Sequence, residues 1–436
     1  IPLRLVGSEM CIRDRWKTFA SQVKSQQEGR RLPKGNVPEY NNYSDGTTDR
    51  KLENTDLTVD SRIITSIKNH RITAGVEYKD GETIDTSAGN GQTFTQDSWS
   101  VFTEDEWHLT DALAFTFGGR YEDHSAFGGH FTPRAYLVWN TNDNWTLKGG
   151  VSTGYKVPTA NDLHDGINGF TAQGKSVSLG NPDLKPEKTT NYEIGFVYDD
   201  LTNFSLTTTA FFTEFKDLII SGAKTYENCL WESRPTGSTP ASDCMTVGNF
   251  SYQENFSFQG NADEAESYGV ELSAKYDISP NFNVKANYTW LESEITKGEN
   301  KGQTIENTPR HAVNLTSTWY VNDQFTTWLE AEYKSKRTRF TDPTANTDTI
   351  REAEITGNEL KAYELFNIGA SYKVNNQIML SGRINNLFDK DFGDYQTFTN
   401  TKGETVNAFL YTKTTSGLAG TYIPDRNYWL SISYDF

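Results

Sequence analysis

The densest group of positive charges in the chain is the segment KSKRTRF, which begins at Lys334. Its residues suited to binding an anion are Lys334, Lys336, Arg337, Arg339 and Phe340. Guanidinium groups form paired hydrogen bonds with anions, and an aromatic ring adds cation–π contact. The segment therefore predicts a site for a planar polyanionic ligand. Simple solvation of an exposed loop is the alternative.

Two cysteines, Cys229 and Cys244, bound the segment CLWESRPTGSTPASDC. In an oxidising compartment such a pair forms a disulfide. Closing a loop of this size stabilises it by about 3 kcal/mol in the chain-entropy model. We predict a Cys229–Cys244 disulfide that stiffens the loop, with two free thiols as the alternative.

Residues for catalysis or metal binding are sparse. The six histidines show neither H-x-x-x-H nor Cys/His spacing, and only His124 and His130 flank one short loop. No G-x-S-x-G element occurs, and carboxylates such as Glu193, Glu271 and Glu330 fall at polar positions of alternating segments. We therefore predict no catalytic residues, no metal site, no cofactor and no enzymatic activity.

The elements that must position these residues show a period of two. In the last such segment Tyr428, Leu430, Ile432, Tyr434 and Phe436 share one face, and the residues between them are mostly polar. Similar segments of about nine to twelve residues recur from Leu57 onward, long enough to cross a bilayer when tilted. No run of 18 apolar residues exists, which excludes a helical membrane span. Aromatic residues at segment ends, such as Trp290 and Tyr333, fit the girdles of a membrane barrel.

The connections between these segments alternate between short and long. Short turns are expected near 201, 279, 322 and 375, and long loops at 80–96, 122–130, 154–189, 214–265, 292–308, 334–361 and 387–425. Outer-membrane barrels sort their loops in this way, with the long loops outside. The pattern predicts an all-β, transmembrane antiparallel β-barrel with fifteen strands. A sixteenth is expected near 16–20, followed by a polar loop at 21–56. In an outer membrane, the KSKRTRF cations can also contact lipopolysaccharide phosphates.

The ends and the charge of the chain add two expectations. Lys and Arg number 41 against 58 Asp and Glu, a net charge of −17, which makes nucleic acid an unsuitable partner.

The opening IPLRLVGSEMCIRDR has no features of a signal peptide. It resembles a translated sequencing adapter, so we expect residues 1–15 to be an artefact and 16–436 to be native barrel sequence. A genuine short N-terminal segment is the alternative.

Three segments resemble TonB-dependent outer-membrane receptors: 150–196, 382–396 and 427–436. The run GNPDLKPEK is most similar to the colicin I receptor group, which takes up iron bound to catecholate siderophores. The superfamily elements N-P-x-L-x-P-E and N-N-L-F-D are interpreted as structural. Prolines fix φ where a loop returns to a strand, and Asn and Asp suit a strand-to-loop turn. The residues concerned are Pro182, Pro186, Asn385, Asn386 and Asp389.

The resemblance implies a 22-stranded barrel closed by an N-terminal plug. With fifteen or sixteen strands visible, the chain would be a C-terminal part that lacks the plug and six or seven strands. The implied function is uptake of ferric, catecholate-type siderophores across the bacterial outer membrane. The implied partners are the siderophore, the TonB protein acting through the missing plug, outer-membrane lipid and lipopolysaccharide, and colicins or phage. Iron would be present only within the siderophore.

Two other functions remain open from sequence alone. A passive porin-type channel of about sixteen strands is the leading alternative, and an outer-membrane enzyme or adhesin barrel is the third. A porin needs short constricting loops, whereas several loops here reach about 30 to 50 residues, which is too long for simple connectors.

Overall fold

The structure, a computed structural model, describes residues 15–31, 49–85, 93–171, 176–247, 250–251, 253–298, 300–344, 347–401, 403–412 and 423–435. Its long strands are β1 (Arg15–Arg31), β2 (Asp49–Ile67), β3 (His70–Asp85), β4 (Thr93–His108), β5 (Leu113–His124), β6 (Gly128–Asn140), β7 (Trp145–Lys156), β10 (Glu187–Asp199), β11 (Phe204–Glu227), β12 (Asn255–Ser279), β13 (Phe282–Lys297), β14 (His311–Tyr320), β15 (Phe325–Lys334), β18 (Tyr363–Lys373), β19 (Ile378–Asn385) and β22 (Asn427–Tyr434). Short strands lie in the connections: β8 (Ile167–Thr171), β9 (Ser176–Leu179), β16 (Arg337–Thr338), β17 (Glu359–Leu360), β20 (Tyr395–Thr399) and β21 (Thr405–Phe409). One helix, α1 (Thr347–Thr356), is found within the described residues.

Alternation of apolar and polar side chains gives each long strand two different faces. In β15, Leu329 and Tyr333 lie on one face, and Glu330 and Glu332 lie on the other. Residues opposite one another in neighbouring strands share a face, as Val313 of β14 does with Tyr333. We call these the apolar face and the polar face.

The chain divides into two compact units. In one, β1 to β5 form an antiparallel meander in chain order. In the other, β12, β13, β14, β15, β18, β19 and β22 pair in that order, all antiparallel. The predicted all-β antiparallel fold is confirmed. The sixteenth strand predicted near 16–20 is β1, which continues to Arg31.

Short and long connections alternate as the sequence predicts, with one exception. Turns of two to four residues lie, within the described residues, at 68–69, 109–112, 141–144, 200–203, 280–281, 321–324 and 374–377. The exception is the predicted long loop at 122–130, which is wrong. β5 and β6 are joined there by residues 125–127, because Phe127 N donates to the His124 carbonyl (3.1 Å) and Gly128 adopts a φ of 68°. Glycine takes this left-handed conformation without a steric cost.

Other loop boundaries also differ from the predicted ones, because strands continue past the membrane-length segment. β3 ends at Asp85 and β4 begins at Thr93, both inside the predicted loop 80–96. β11 and β12 narrow the predicted loop 214–265 to residues 228–254. β2 begins at Asp49, inside the predicted loop 21–56. Residues 1–14 of the predicted artefact lie outside the described residues, and Arg15 opens β1. No helix among the described residues is long and apolar enough to cross a membrane.

Candidate functional site

The long connections around the KSKRTRF segment fold into a small structured unit, which we call the loop module. It comprises β16 paired with β17, helix α1, and β20 paired with β21. Asp348 in the first turn of α1 accepts a hydrogen bond from the backbone N of Thr401 (2.7 Å). Arg351 Nη1 donates to the Thr399 carbonyl (3.0 Å). These bonds fasten the helix to the β20–β21 hairpin.

Two residues of the predicted ligand patch belong to the interior of this module. Arg339 is fully buried, and its guanidinium donates to Glu352 Oε1 (2.7 Å) and to the Phe409 carbonyl (2.7 Å). Phe340 is 8% exposed, and its backbone N donates to Asn358 Oδ1 (2.9 Å). Burial lowers the pKa of Arg339, and the Glu352 carboxylate opposes this shift. The placement of Arg339 and Phe340 supports a role in holding the module together and does not support direct ligand contact.

Beside the buried pair, three aromatic rings form a row. The ring centroids of Tyr363 and Phe392 are 5.2 Å apart, and those of Phe392 and Tyr411 are also 5.2 Å apart. Tyr363 and Phe392 are buried, whereas Tyr411 is partly exposed. The row therefore has a buried end at Tyr363 and an accessible end at Tyr411.

Lys334 and Arg337 flank the buried end of the row. Lys334 Nζ lies 5.8 Å and Arg337 Cζ 5.7 Å from the centroid of the Tyr363 ring, within cation–π distance. Tyr363 donates its hydroxyl to Glu332 (2.8 Å), which also pairs with Lys334 (3.1 Å). Arg337 Nη2 donates to the Tyr411 carbonyl (2.6 Å), and burial lowers the pKa of Arg337. Both cations are thus held in place by neighbouring groups.

Lys361 and Lys390 flank the accessible end. Their Nζ atoms lie 5.7 and 5.6 Å from the centroid of the Tyr411 ring. Lys361 pairs with Asp394 (2.8 Å), which raises the pKa of Lys361, so the amine is charged at neutral pH. Lys390 lies 3.5 Å from Glu364, a carboxylate that is 60% exposed. We call the complete set the cation–aromatic cluster: Lys334, Arg337, Lys361, Lys390, Tyr363, Phe392 and Tyr411.

Lys336, the remaining member of the predicted patch, lies at the edge of this cluster, in a cleft that Arg337 also lines. Its Nζ pairs with Glu359 Oε2 at 2.7 Å, and this hydrogen bond raises the pKa of Lys336. It lines an open cleft of about 470 Å³ together with Arg310, His311 and Arg337, and Arg337 also belongs to the cluster. The five predicted residues are therefore divided between the module interior, the cluster and this cleft.

No pattern in the sequence pointed to Lys361, Lys390 and Tyr411 as ligand-binding residues. These residues are far apart in the chain, and none stands in a run of positive charges. The backbone bond from Lys361 N to the Leu410 carbonyl (2.8 Å) brings Lys361 beside Tyr411. Only the pairing of distant loop segments assembles this end of the cluster.

The predicted cysteine pair lies in the other compact unit. Cys229 and Cys244 are joined by a disulfide with an S–S distance of 2.03 Å. The neighbouring Asn228 is fully buried, and its Nδ2 donates to the carbonyls of Phe250 (3.0 Å) and Gln253 (2.9 Å). The disulfide therefore adjoins a folded loop with its own hydrogen bonds.

The N-P-x-L-x-P-E element connects several segments. Asn181 Nδ2 donates to the Gln259 carbonyl (2.9 Å). Glu187 accepts from the backbone N of Ile219 (2.8 Å) and pairs with Lys156 (3.0 Å). These contacts agree with the structural role that the sequence suggested for this element.

The N-N-L-F-D element forms the turn that follows β19. Asn386 and Asp389 have φ angles of 52° and 55°, a left-handed conformation that Asn and Asp tolerate. The Asn386 side chain donates to the Lys390 carbonyl (2.8 Å) and accepts from the Lys390 backbone N (2.8 Å). Asp389 Oδ1 accepts from the backbone N of Arg426 (2.9 Å). The element positions Lys390, a member of the cation–aromatic cluster.

A search for groups of three or more His, Cys, Asp or Glu side chains placed to hold a metal finds none in the part of the chain that the structure describes. His130, considered as a partner for His124, stacks instead on Tyr155, with ring centroids 4.0 Å apart.

The fold and the sequence both match a known family. Residues 13–387 match the model of the TonB dependent receptor-like β-barrel. The chain belongs to this family. The family is one of outer-membrane β-barrels, so the chain is part of a TonB-dependent receptor barrel in the bacterial outer membrane.

Curated relatives support this assignment. The iron-regulated outer membrane virulence protein of Vibrio cholerae is 29% identical over 361 residues, which cover 82% of this chain and 51% of the relative. The ferrienterobactin receptor of Escherichia coli is 25% identical over 359 residues, covering 78% of this chain and 42% of the relative. The chain thus spans about half, or less than half, of the length of the curated relatives that it matches.

A solved structure shows the same fold. The ferric enterobactin receptor of Pseudomonas aeruginosa, as a Q482A mutant in complex with enterobactin, superposes with a TM-score of 0.72 at 18% identity. The match covers 97% of this TonB-dependent receptor chain and 60% of the solved chain. Two of these three proteins are named as ferric enterobactin receptors, and the family match does not favour the porin-type alternative.

Proposed function

We propose that this TonB-dependent receptor chain is the barrel part of an uptake receptor for ferric siderophores of the catecholate type. The relatives with which it aligns include receptors named for ferric enterobactin. The observation that carries the cargo proposal is the cation–aromatic cluster at the long-loop end of β15, β18 and β19. The protein performs no covalent chemistry in this proposal, and iron is cargo within the siderophore.

The chemistry of a ferric catecholate fits the accessible end of the cluster. Iron-bound catecholates are aromatic and carry negative charge, so they suit both a tyrosine ring and ammonium groups. Tyr411 supplies the ring, and Lys361 and Lys390 supply the charges beside it. Lys334 and Arg337 extend the positive charge toward the buried end. The sequence-predicted ligand role is thereby retained for Lys334 and Arg337 and extended to three residues that sequence missed.

After capture, transport would follow the route of the family. A plug domain would rearrange under force from the TonB protein, which is how a receptor differs from a passive channel. Colicins or phage would bind the same exposed loops.

Uptake in cells tests the receptor function. A complete receptor that carries this chain is expressed in a strain without its own catecholate receptors, with ferric enterobactin as the only iron source. We expect growth that is lost when the tonB function is deleted. Growth that persists without TonB would favour the porin-type channel, and no growth in either strain would contradict the proposed cargo.

Binding measurements test the cluster itself. Lys361→Gln, Lys390→Gln and Tyr411→Leu are each compared with Lys275→Gln, a cation on β12 near its short turn that pairs with Asp277 (2.6 Å). If a residue contacts the ligand directly, its substitution is expected to weaken ferric enterobactin binding at low and at high salt. If its charge only steers the ligand, the substitution is expected to weaken binding at low salt alone, because exposed charges are screened beyond about 8 Å at physiological ionic strength. Unchanged affinity for all three variants at both salts would remove the cluster from the site.

A further inference from the structure

Asn386, the second asparagine of the N-N-L-F-D element, is held from two sides. It is 2% exposed and has a left-handed φ of 52°. Its side chain binds both the carbonyl and the backbone N of Lys390. From the other side, the backbone N of Asn386 donates to Asn367 Oδ1 (3.0 Å), which belongs to β18. The side chain of Asn367 therefore anchors the turn after β19 to the neighbouring strand.

The amide group of Asn367 is itself oriented by a charge on the polar face. Asn367 is 7% exposed, and its Nδ2 donates to Glu330 Oε2 (3.1 Å). The same oxygen accepts a hydrogen bond from Arg383 Nη2 (2.9 Å). Because an ionised carboxylate only accepts hydrogen bonds, Glu330 holds the donor end of the amide and leaves the acceptor end for Asn386.

The position of Asn386 matters for Lys390 because most of the Lys390 side chain is packed. This side chain is 25% exposed, and its Nζ lies 5.6 Å from the centroid of the Tyr411 ring. A packed side chain follows a shift of its own backbone, whereas an exposed lysine compensates by changing its rotamer. A change at Asn367 should therefore move the charge at the accessible end of the cation–aromatic cluster.

We propose that Asn367 is a positioning residue for the siderophore site and acts through Asn386 on Lys390. This inference rests on the ferric siderophore function proposed above, and it adds a residue that the ligand does not touch. Asn367 lies within β18, opposite Glu330 of β15, and not in a loop. The affinity for the siderophore should thus depend on a chain of hydrogen bonds that begins on the polar face of the strands.

The first test measures ferric enterobactin binding by the complete receptor in detergent. Asn367→Leu removes both hydrogen bonds of the amide and should weaken binding about five- to tenfold, since a buried bond of this kind accounts for factors of that size. The backbone bond from Leu387 N to the Phe366 carbonyl (2.7 Å) still keeps the turn beside β18. Asn283→Leu is the matched control and should bind like the wild type. Asn283 is an asparagine of β13 that is 9% exposed and lies beside the short turn at 280–281.

A second variant interrupts the same chain of hydrogen bonds closer to the ligand. Asn386→Gly supplies a residue that adopts a positive φ without strain, but it removes the side chain that binds Lys390. It should weaken ferric enterobactin binding by a similar factor. Amide hydrogen exchange in the segment 386–390 should be faster in this variant and in Asn367→Leu than in the wild type, with or without the siderophore.

Double variants separate positioning from a general structural effect. In a Lys390→Gln receptor, Asn367→Leu should not weaken binding further, because the group that Asn367 positions has already lost its charge. In a Lys361→Gln receptor, Asn367→Leu should weaken binding by the same factor as in the wild type. The reason is that Lys361 is held by a different bond, from its backbone N to the Leu410 carbonyl.

Three results would overturn the proposal. The first is wild-type affinity in both Asn367→Leu and Asn386→Gly. The second is equal weakening by Asn367→Leu in the wild-type, Lys390→Gln and Lys361→Gln receptors, which would show a structural role only. The third is unchanged amide exchange at 386–390 in Asn367→Leu, a result that does not depend on the ligand. Failure of the wild-type receptor to bind ferric enterobactin would instead contradict the proposed function.

Discussion

Trp328 and Gly369 lie directly opposite one another on β15 and β18, and the indole occupies the space where a side chain at position 369 would begin. A Cβ built on Gly369 would be 2.3 Å from Trp328 Cζ2. The guanidinium of Arg383, which is opposite Gly369 on β19, lies 5.0 Å from the indole ring. Arg383 in turn pairs with Glu330 (2.9 Å) on the polar face. The missing side chain at Gly369 thus decides where an aromatic ring and an ion pair are placed.

Gly369→Ala should therefore destabilise the barrel by about 1–3 kcal/mol, the usual cost of overpacking. The indole must leave its position, so Trp fluorescence should change together with the free energy of unfolding. Gly81→Ala is the control, because the nearest atom to its built Cβ is Asp56 Oδ1 at 3.4 Å. Equal effects of the two substitutions would show that the Trp328 contact is unimportant.

Two ion pairs of the KSKRTRF segment, Arg339–Glu352 and Lys336–Glu359, should differ sharply in their contribution to the loop module. Arg339→Met leaves Glu352 buried without its cation, a change that costs about 3–5 kcal/mol in comparable sites. Hydrogen exchange of α1 and β21 should accelerate accordingly. Lys336→Met removes an exposed pair and should leave these exchange rates nearly unchanged. The interpretation fails if Lys336→Met loosens the module as much as Arg339→Met does.

The Cys229–Cys244 disulfide should be present in the receptor isolated from cells. Peptide mapping without reduction is expected to recover the two cysteines in one linked species. In the double variant Cys229→Ser/Cys244→Ser, amide hydrogen exchange around Asn228 should be faster. The cross-link lowers the conformational entropy of the unfolded loop and so stabilises the folded loop by about 3 kcal/mol. Alkylation of both thiols in the native protein would contradict the bond.

Labelling of single cysteines should establish which end of the strands faces outward. In intact cells, a Cys at Lys301 in the β13–β14 connection should react with an impermeant maleimide. A Cys at Asn322 in the short β14–β15 turn should react only after the outer membrane is opened. Both positions are solvent-exposed, so accessibility within the fold does not separate them. The reverse pattern would invert the topology.

The short turn between β10 and β11 should contribute a pH-dependent stability. Asp200 accepts hydrogen bonds from the backbone N of Phe204, Thr202 and Asn203, each 2.9 Å long, and these lower the pKa of Asp200 from 3.8 to about 2. A lowered pKa in the folded state means that the contribution is complete above about pH 4 and is lost as the pH falls through 2. The free energy of unfolding of Asp200→Asn should therefore be lower than that of the wild type above pH 4, and the two values should converge below pH 2. Asp111→Asn, at another short turn, controls for the loss of one charge.

The strands and their order could be predicted from the sequence because both depend on near neighbours. Alternation such as that of Leu329 to Tyr333 sets the two faces, and Asn or Asp runs such as DDLTN near 201 set the short turns. The predicted long loop at 122–130 was wrong, because a single left-handed Gly128 is enough to close a tight turn. The charge pattern of the KSKRTRF segment was also visible in the sequence. Which of its side chains are buried and which groups they contact was not.

The amino-acid sequence by itself determined the alternating strands, the sorting of short and long connections, the family resemblance and the cysteine pair. The tertiary structure alone decided that Arg339 and Phe340 are buried, that Lys334 and Arg337 flank Tyr363, and that Lys361, Lys390 and Tyr411 meet. The physical reason is the range of the interactions. A strand face follows from residues two positions apart, whereas the burial of a loop cation depends on a helix and a hairpin that are remote in the chain and reach it only through folding.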